Sequence, residues 1–254
     1  MDYKTILVNC DTAPTTPQRI ELAADLARQM QAHLVGMFVR ANVVMPAYME
    51  AGIGPELIVL QEKRGKDQAA KAKAVFDQIA QRVGGSAEWR EASGDIYDQT
   101  TMQSRYADLT VMGQYDSKLD DPDVIPDLAE TVMLDCGRPV LLLPYIGFKG
   151  KLIGGHVLVG WNASRESGRA VHDALPFLKA ASQVTVLVVN PKGGARGHGE
   201  QPGADIAQFL ARHGVKVTAS QTVADDIDAG DAIISRVSDI NADMLVMGAY
   251  GHSR

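Results

Sequence analysis

Two stretches of this chain, Ala107-Asp-Leu-Thr-Val-Met-Gly-Gln-Tyr-Asp-Ser117 and Ala242-Asp-Met-Leu-Val-Met-Gly-Ala-Tyr-Gly-His-Ser253, are versions of one another. Each is an apolar strand-like run entering a turn at a glycine. Upstream, Thr5-Ile-Leu-Val-Asn-Cys-Asp11 has its counterpart in His156-Val-Leu-Val-Gly-Trp-Asn162, and His33-Leu-Val-Gly-Met-Phe-Val39 in Val184-Thr-Val-Leu-Val-Val189. One fold unit therefore occurs twice, and whatever the first half folds into, the second half must also accept.

Between the first and second runs of each copy the apolar period changes to that of a helix. Pro17 to Gln31 places Ile20, Ala23, Ala24, Ala27 and Met30 on one face, and Glu166 to Lys179 does so with Ala170, Val171, Leu175 and Leu178. Pro17 suits a first helical turn, whereas Pro176 should kink or shorten the second helix. Strand, helix and strand make a right-handed parallel unit. In the first copy a charged helix is predicted from about Glu56 to Arg82, and in the second a shorter one ending at Arg212. Third strands follow at Ala87–Ala92 and Lys216–Val223, then helices from about Asp95 and Asp231, then the fourth strands. A helix near Asp127–Asp135 and a fifth strand, Pro139-Val-Leu-Leu-Leu-Pro144, occur in the first copy alone.

The expected architecture is α/β: two tandem open parallel sheets with helices on both faces. The first domain is read as residues 1–145, a linker as 146–155, and the second domain as 156–254. That second copy stops short of its last helix and strand, and residues beyond Arg254 are expected to complete it, since a sheet without its last helix would expose Val246.

Composition closes off several functions. The 254 residues are 46% hydrophobic and 22% charged, as in a soluble globular protein. A net charge of -6 lacks the basic face of a nucleic-acid binder, and no apolar run is long enough to span a membrane. Because Thr5–Val8 enters a strand at once, no signal peptide is expected, and the location is read as cytoplasmic. Cys10 and Cys136 have no metal-ligand spacing and are expected as buried free thiols.

In open parallel sheets ligands gather beyond the carboxyl ends of the strands, where strand order reverses. Asp11, Val39 and Gly113 come to that edge in the first copy, and Asn162, Val189 and Gly248 in the second. Gly248-Ala-Tyr-Gly251, followed by His252 and Ser253, leaves backbone N–H groups uncovered ahead of a helix, a pattern suited to an anion. The matching turn carries Asp116, with Asp120, Asp121, Asp123 and Asp127 nearby, and Pro122 and Pro126 remove donors. A polyphosphate would be repelled there.

With these residues the chain resembles the universal stress protein family in its tandem two-domain form, over nearly its whole length. The resemblance rests on Ile6-Leu-Val-Asn-Cys-Asp11, Val157-Leu-Val-Gly-Trp-Asn-Ala-Ser-Arg-Glu-Ser167 and Asp243-Met-Leu-Val-Met-Gly-Ala-Tyr-Gly-His-Ser253. It implies an adenine-nucleotide α-hydrolase-like sheet and, as in many members, ATP or AMP as a ligand, with Mg2+ only alongside ATP. It places Asn162 near the ribose, Val189 at the adenine, and Gly248, Gly251, His252 and Ser253 around the phosphates. Asn162 stands where the family usually has an acid. Asp11, Val39 and Gly113 are the weaker counterparts in the first copy, whose next two glycine positions hold Asp116 and Pro126. The family's fifth-strand pairing implies that the Pro139–Pro144 edge faces the second domain, and is compatible with a homodimer.

Other signals have plainer readings. Gly193–Gly199 lacks the Lys-Ser/Thr of a P-loop and reads as a surface linker. Ser253 beside His252 sits in no nucleophile elbow, and the histidines show no metal spacing. Met45, Tyr48 and Met49 are expected to pack on their own domain, with a lid or partner surface as the alternative. No dedicated catalytic constellation is present, so at most slow ATP hydrolysis is expected. Regulatory nucleotide binding with an unidentified protein partner is the first reading; a non-nucleotide interaction scaffold, built as an internal pseudo-dimer, is the rival.

Overall fold

A computed structural model describes residues 3–41, 55–119, 124–191, 201–224 and 226–249. The chain separates into two compact units that divide between Phe148 and Lys149.

In the first unit the elements run β1 (Thr5–Asn9), α1 (Thr16–Met30), β2 (His33–Ala41), α2 (Pro55–Val83), β3 (Ala87–Gly94), α3 (Ile96–Ser104), β4 (Leu109–Gly113), α4 (Leu128–Asp135) and β5 (Val140–Leu143). All pairings are parallel, in the order β3-β2-β1-β4-β5. The central strands are buried on both faces, which is why they read as unbroken apolar runs. On one face Ile20, Ala23, Ala24 and Ala27 of α1 are buried with Ala69, Ala72, Phe76 and Ile79 of α2. Gly36 lets the Phe76 ring lie directly on β2, in space a Cβ would claim. On the other, Leu7, Val35, Met37 and Val39 pack with Ala107 and Ile96, while Met112, Leu128, Val132 and Cys136 form the layer under α4. The charges of Glu62–Lys73 lie on the exposed side of α2.

The second unit repeats the plan with β6 (His156–Gly160), α5 (Arg165–Asp173), α6 (Leu175–Ala180), β7 (Gln183–Val189), α7 (Ala204–Arg212), β8 (Val217–Thr222), α8 (Ala229–Asp239) and β9 (Met244–Met247). Its order, β8-β7-β6-β9, is that of the first sheet without the β5 edge, again all parallel. The helix expected over Glu166–Lys179 is two helices breaking at Ala174, because Pro176 has no N–H to donate to the carbonyl four residues back. Helix α8 starts at Ala229, ahead of Asp231, because Asp228 caps it, accepting from Gly230 N at 2.7 Å. Val246 is buried, at 8% exposure, and Met247 is half exposed, at 49%. Both cysteines are free and buried.

The repeated Ala-Asp that precedes each fourth strand has a structural role. Asp108 Oδ2 accepts from the backbone N–H groups of Lys4 and Thr5 at 2.7 and 2.9 Å. Asp243, 135 residues later, accepts from Lys151 N at 3.0 Å and His156 N at 2.8 Å. Each carboxylate satisfies the N–H of its unit's first strand residue, Thr5 or His156, and a second N–H upstream of that strand, tying the strand's start to the start of the fourth.

Candidate functional site

Strand order reverses between β1 and β4 in the first unit and between β6 and β9 in the second, since the chain builds β1–β2–β3 outward and then returns to the other side of β1. In the first unit a cleft of about 240 Å³ opens there, and it brings together Asp11, Val39 and Gly113. Apolar walls come from Val39, Ile125, Pro126 and Leu128, and polar ones from Arg19, Arg40 and Arg64.

Asp11 is fully engaged within this unit. Its Oδ2 lies 2.7 Å from Arg19 Nη2. Its Oδ1 accepts from Ala13 N at 3.0 Å and from the Thr16 hydroxyl. Arg19 is 1% exposed; its Nε donates to the Asn9 carbonyl at 2.8 Å and its Nη2 to Thr16 Oγ1 at 2.9 Å. Its Nη1 lies against Gly113, in space that a Cβ on Gly113 would claim. Gly113 is thus required by a close approach within the protein. Arg19 was missed in the sequence, yet it sits four residues before Ala23 on the apolar face of α1, where a charge needs an acidic partner. In the second copy the corresponding residue is Ala170.

Of the acids named after β4, Asp116 and Asp127 are described, and each is hydrogen-bonded within the first unit. Asp116 accepts from Lys118 N at 2.9 Å and is not among the cleft-lining residues. Asp127 accepts from the Tyr97 hydroxyl at 2.6 Å, and that bond pushes the Tyr97 phenol up to about 12. Asp120, Asp121, Pro122 and Asp123 lie outside the described residues. Cys10 also lines the cleft; burial, only partly offset by Arg19, pushes its thiol up to about 12.

In the second unit Asn162 Oδ1 accepts from Ser164 N at 3.1 Å, the same bond that Asp11 makes to Ala13 at the equivalent position. Ser164 then caps α5 by accepting from Ser167 N at 3.1 Å. Gly248 closes against this helix end: a Cβ there would stand 2.6 Å from Glu166 C and Ser167 N. Val189 ends β7 half-buried. The following Asn190 exchanges two bonds with Ala224, at 3.1 and 2.7 Å, bracing the ends of β7 and β8. Glu166 is in the first turn of α5, held below the usual carboxylate range by its hydrogen bond from Arg165. Structure thus places Asn162 and Gly248 at the two flanks of one helix N-terminus. Gly251, His252 and Ser253 lie outside the described residues, as do the Met45–Met49 and Gly193–Gly199 segments.

Among the described residues no group of three or more His, Cys, Asp or Glu could hold a metal ion, and no helix is long and apolar enough to cross a membrane.

No family model and no curated protein matches the sequence. Solved structures do. A universal stress protein from Archaeoglobus fulgidus aligns over 98% of this chain and 86% of its own, at 18% identity and a TM-score of 0.72. A functionally unknown protein from Pseudomonas aeruginosa aligns over 99% of this chain and 84% of its own, at 15% identity and a TM-score of 0.59. At such identities the likeness is one of fold: two parallel α/β units in tandem, as in the archaeal universal stress protein.

Proposed function

We infer that this chain is a tandem universal stress protein that binds an adenine nucleotide, ATP or AMP, as a regulatory ligand and has no dedicated substrate. The observation that supports this most directly is the second unit's switch point. There Asn162 and Gly248 flank the N-terminus of α5, and the Gly251-His-Ser turn follows in sequence. Asn162 would meet the ribose and the end of β7 at Val189 the base. The Gly248–Ser253 turn would take the phosphates on its backbone N–H groups, with Mg2+ accompanying ATP alone. Ligand in this turn would order it and alter the surface offered to a protein partner, in a cytoplasmic setting, with homodimerisation compatible.

Titration calorimetry of the full chain with ATP tests this, alongside Gly251→Asp. Wild-type heat that falls at least tenfold in apparent affinity in the variant supports the reading. Absence of heat in the wild type eliminates it and leaves the scaffold reading. Unchanged heat in the variant moves the site out of this turn.

A further inference from the structure

The space between α8 and β8 of the second unit is filled differently from its counterpart in the first. There Arg90 of β3 crosses it, donating through Nε to Glu88 Oε1 at 2.6 Å and through Nη1 to Gln103 Oε1 of α3 at 3.3 Å. Gln99, one turn earlier on α3, lies over Gly94 at the end of β3, its Cγ 3.4 Å from where a Cβ would stand. Strand register carries these positions across: Met37 pairs with Arg90 and Leu187 with Ser220, so Ser220 takes the place of Arg90, Thr218 that of Glu88 and Ala224 that of Gly94. Helix caps do the same on the other side. Asp95 caps α3 and Asp228 caps α8, so Ala232 stands for Gln99 and Arg236 for Gln103.

The result is a cavity of about 410 Å³ between α8 and the chain leaving β8. Ala232 does not fill the volume that Gln99 fills in the first unit. The guanidinium now comes from the helix, as Arg236, and Thr218 offers no acid in the place of Glu88. Arg236 lines the cavity, and its Nε is buried with no hydrogen-bond partner. A buried donor left unmade is costly, the more so on a charged group, and an incoming acceptor recovers that cost. Val223 and Ile227 contribute exposed apolar side chains to the same cavity, and Asp226 and Asp239 contribute two carboxylates.

We propose that this cavity binds a small zwitterion, an α-amino acid with a branched aliphatic side chain, whose carboxylate accepts from Arg236 as Glu88 accepts from Arg90. A guanidinium edge matches a carboxylate in geometry as well as in charge. The charges of the lining select the rest of the molecule. One guanidinium faces two carboxylates, so a plain carboxylate ligand would add to a negative excess, and a plain amine would leave Arg236 Nε unmet. An ammonium and a carboxylate on one molecule answer both. The aliphatic side chain covers Val223 and Ile227, removing apolar surface from water. The volume lies within the roughly 300–1,000 Å³ of small-molecule sites. The cavity shares no lining residue with Asn162, Val189 or Gly248 and does not depend on the nucleotide reading.

Calorimetry of the full chain compares leucine with 4-methylpentanoate, which keeps the carboxylate, and 3-methylbutylamine, which keeps the ammonium. Expected is binding of leucine, with each of the other two at least tenfold weaker. Arg236→Gln should weaken leucine at least tenfold, and so should Ala232→Gln, which restores the side chain of the first unit. Asp226→Asn, at an exposed position, should weaken it severalfold and fold regardless; thermal transitions check all three variants. No leucine heat in the wild type overturns the proposal. So does either analogue binding as tightly as leucine, or leucine affinity unchanged in Asp226→Asn and in a folded Arg236→Gln. A crystal of the full chain soaked with leucine should show a carboxylate within hydrogen-bond distance of Arg236 Nε, and leucine seated elsewhere overturns the proposal as well. ATP heat, titrated separately, should be the same in the wild type and the three variants, so this site and the nucleotide site can each fail without the other.

Discussion

Replacing Arg19 with Met removes a buried cation and leaves Asp11 with its charge but without its counter-ion. At 2.7 Å, and with an effective dielectric of about 20, the Coulomb attraction is about 6 kcal/mol before desolvation is subtracted. Breaking a buried pair by removing one partner costs about 3–5 kcal/mol. Asp11's side chain is 24% exposed and keeps donors from Ala13 and Thr16, which puts this case at the low end. The expected loss is about 3 kcal/mol, with Met filling most of the volume so that little of it comes from a cavity. For a unit of this size that lowers the thermal midpoint by about 6–12 °C. Scanning calorimetry of the full chain should show the change in one transition, that of the first unit. A double-mutant cycle isolates the pair. Arg19→Met with Asp11→Asn should recover at least about 1 kcal/mol relative to additivity, because the second change removes the stranded charge. A single variant within about 0.5 kcal/mol of wild type, or an additive cycle, would refute the claim that this pair is a buried, preorganised element.

The Asp108 and Asp243 clasps make parallel predictions: Asp108→Ala should cost the first unit about 2–3 kcal/mol and Asp243→Ala the second unit a similar amount, since each removes two hydrogen bonds to a charged acceptor. Urea unfolding followed by hydrogen exchange at β1 or β6 would assign the loss, and equal destabilisation of both units by either variant would contradict it. Cys10 should resist iodoacetamide at pH 8 in the folded protein and react in urea, as read by mass spectrometry. Its pKa is raised to about 12, so the neutral thiol's contribution to stability is present below its ordinary value and is lost only as pH rises toward 12.

The sheets were legible because parallel strands covered on both faces leave continuous apolar runs, and because the two copies check each other. Thr5–Asn9 and His156–Gly160 were each found within two residues of their observed ends. Pro176 announced the break at Ala174 through its missing N–H. What stayed hidden was long-range. Nothing local to Asp108 indicates that its carboxylate reaches Lys4 and Thr5, about a hundred residues away. Asp11 and Gly113 were picked out as edge residues, but what fills the space between them depends on Arg19, whose position on an apolar helix face was the unused signal. Of the acids after Gly113, Asp116 accepts from Lys118 N within its own turn, and Asp120, Asp121 and Asp123 lie outside the described residues. Gly248 read as a bare turn, whereas its missing side chain makes room for the backbone of Glu166 and Ser167.

The reach of those Ala-Asp clasps bears on synthesis. As the chain leaves the ribosome, β1 emerges first and takes the centre of its sheet, yet one flank stays bare until β4 arrives about a hundred residues later. Until then the nascent segment offers an apolar strand with an open edge, the kind of surface chaperones guard and neighbouring chains can capture. Asp108 is the latch that ends this interval for the first unit, and Asp243 repeats it for the second, so that each newly made half shuts by its own clasp.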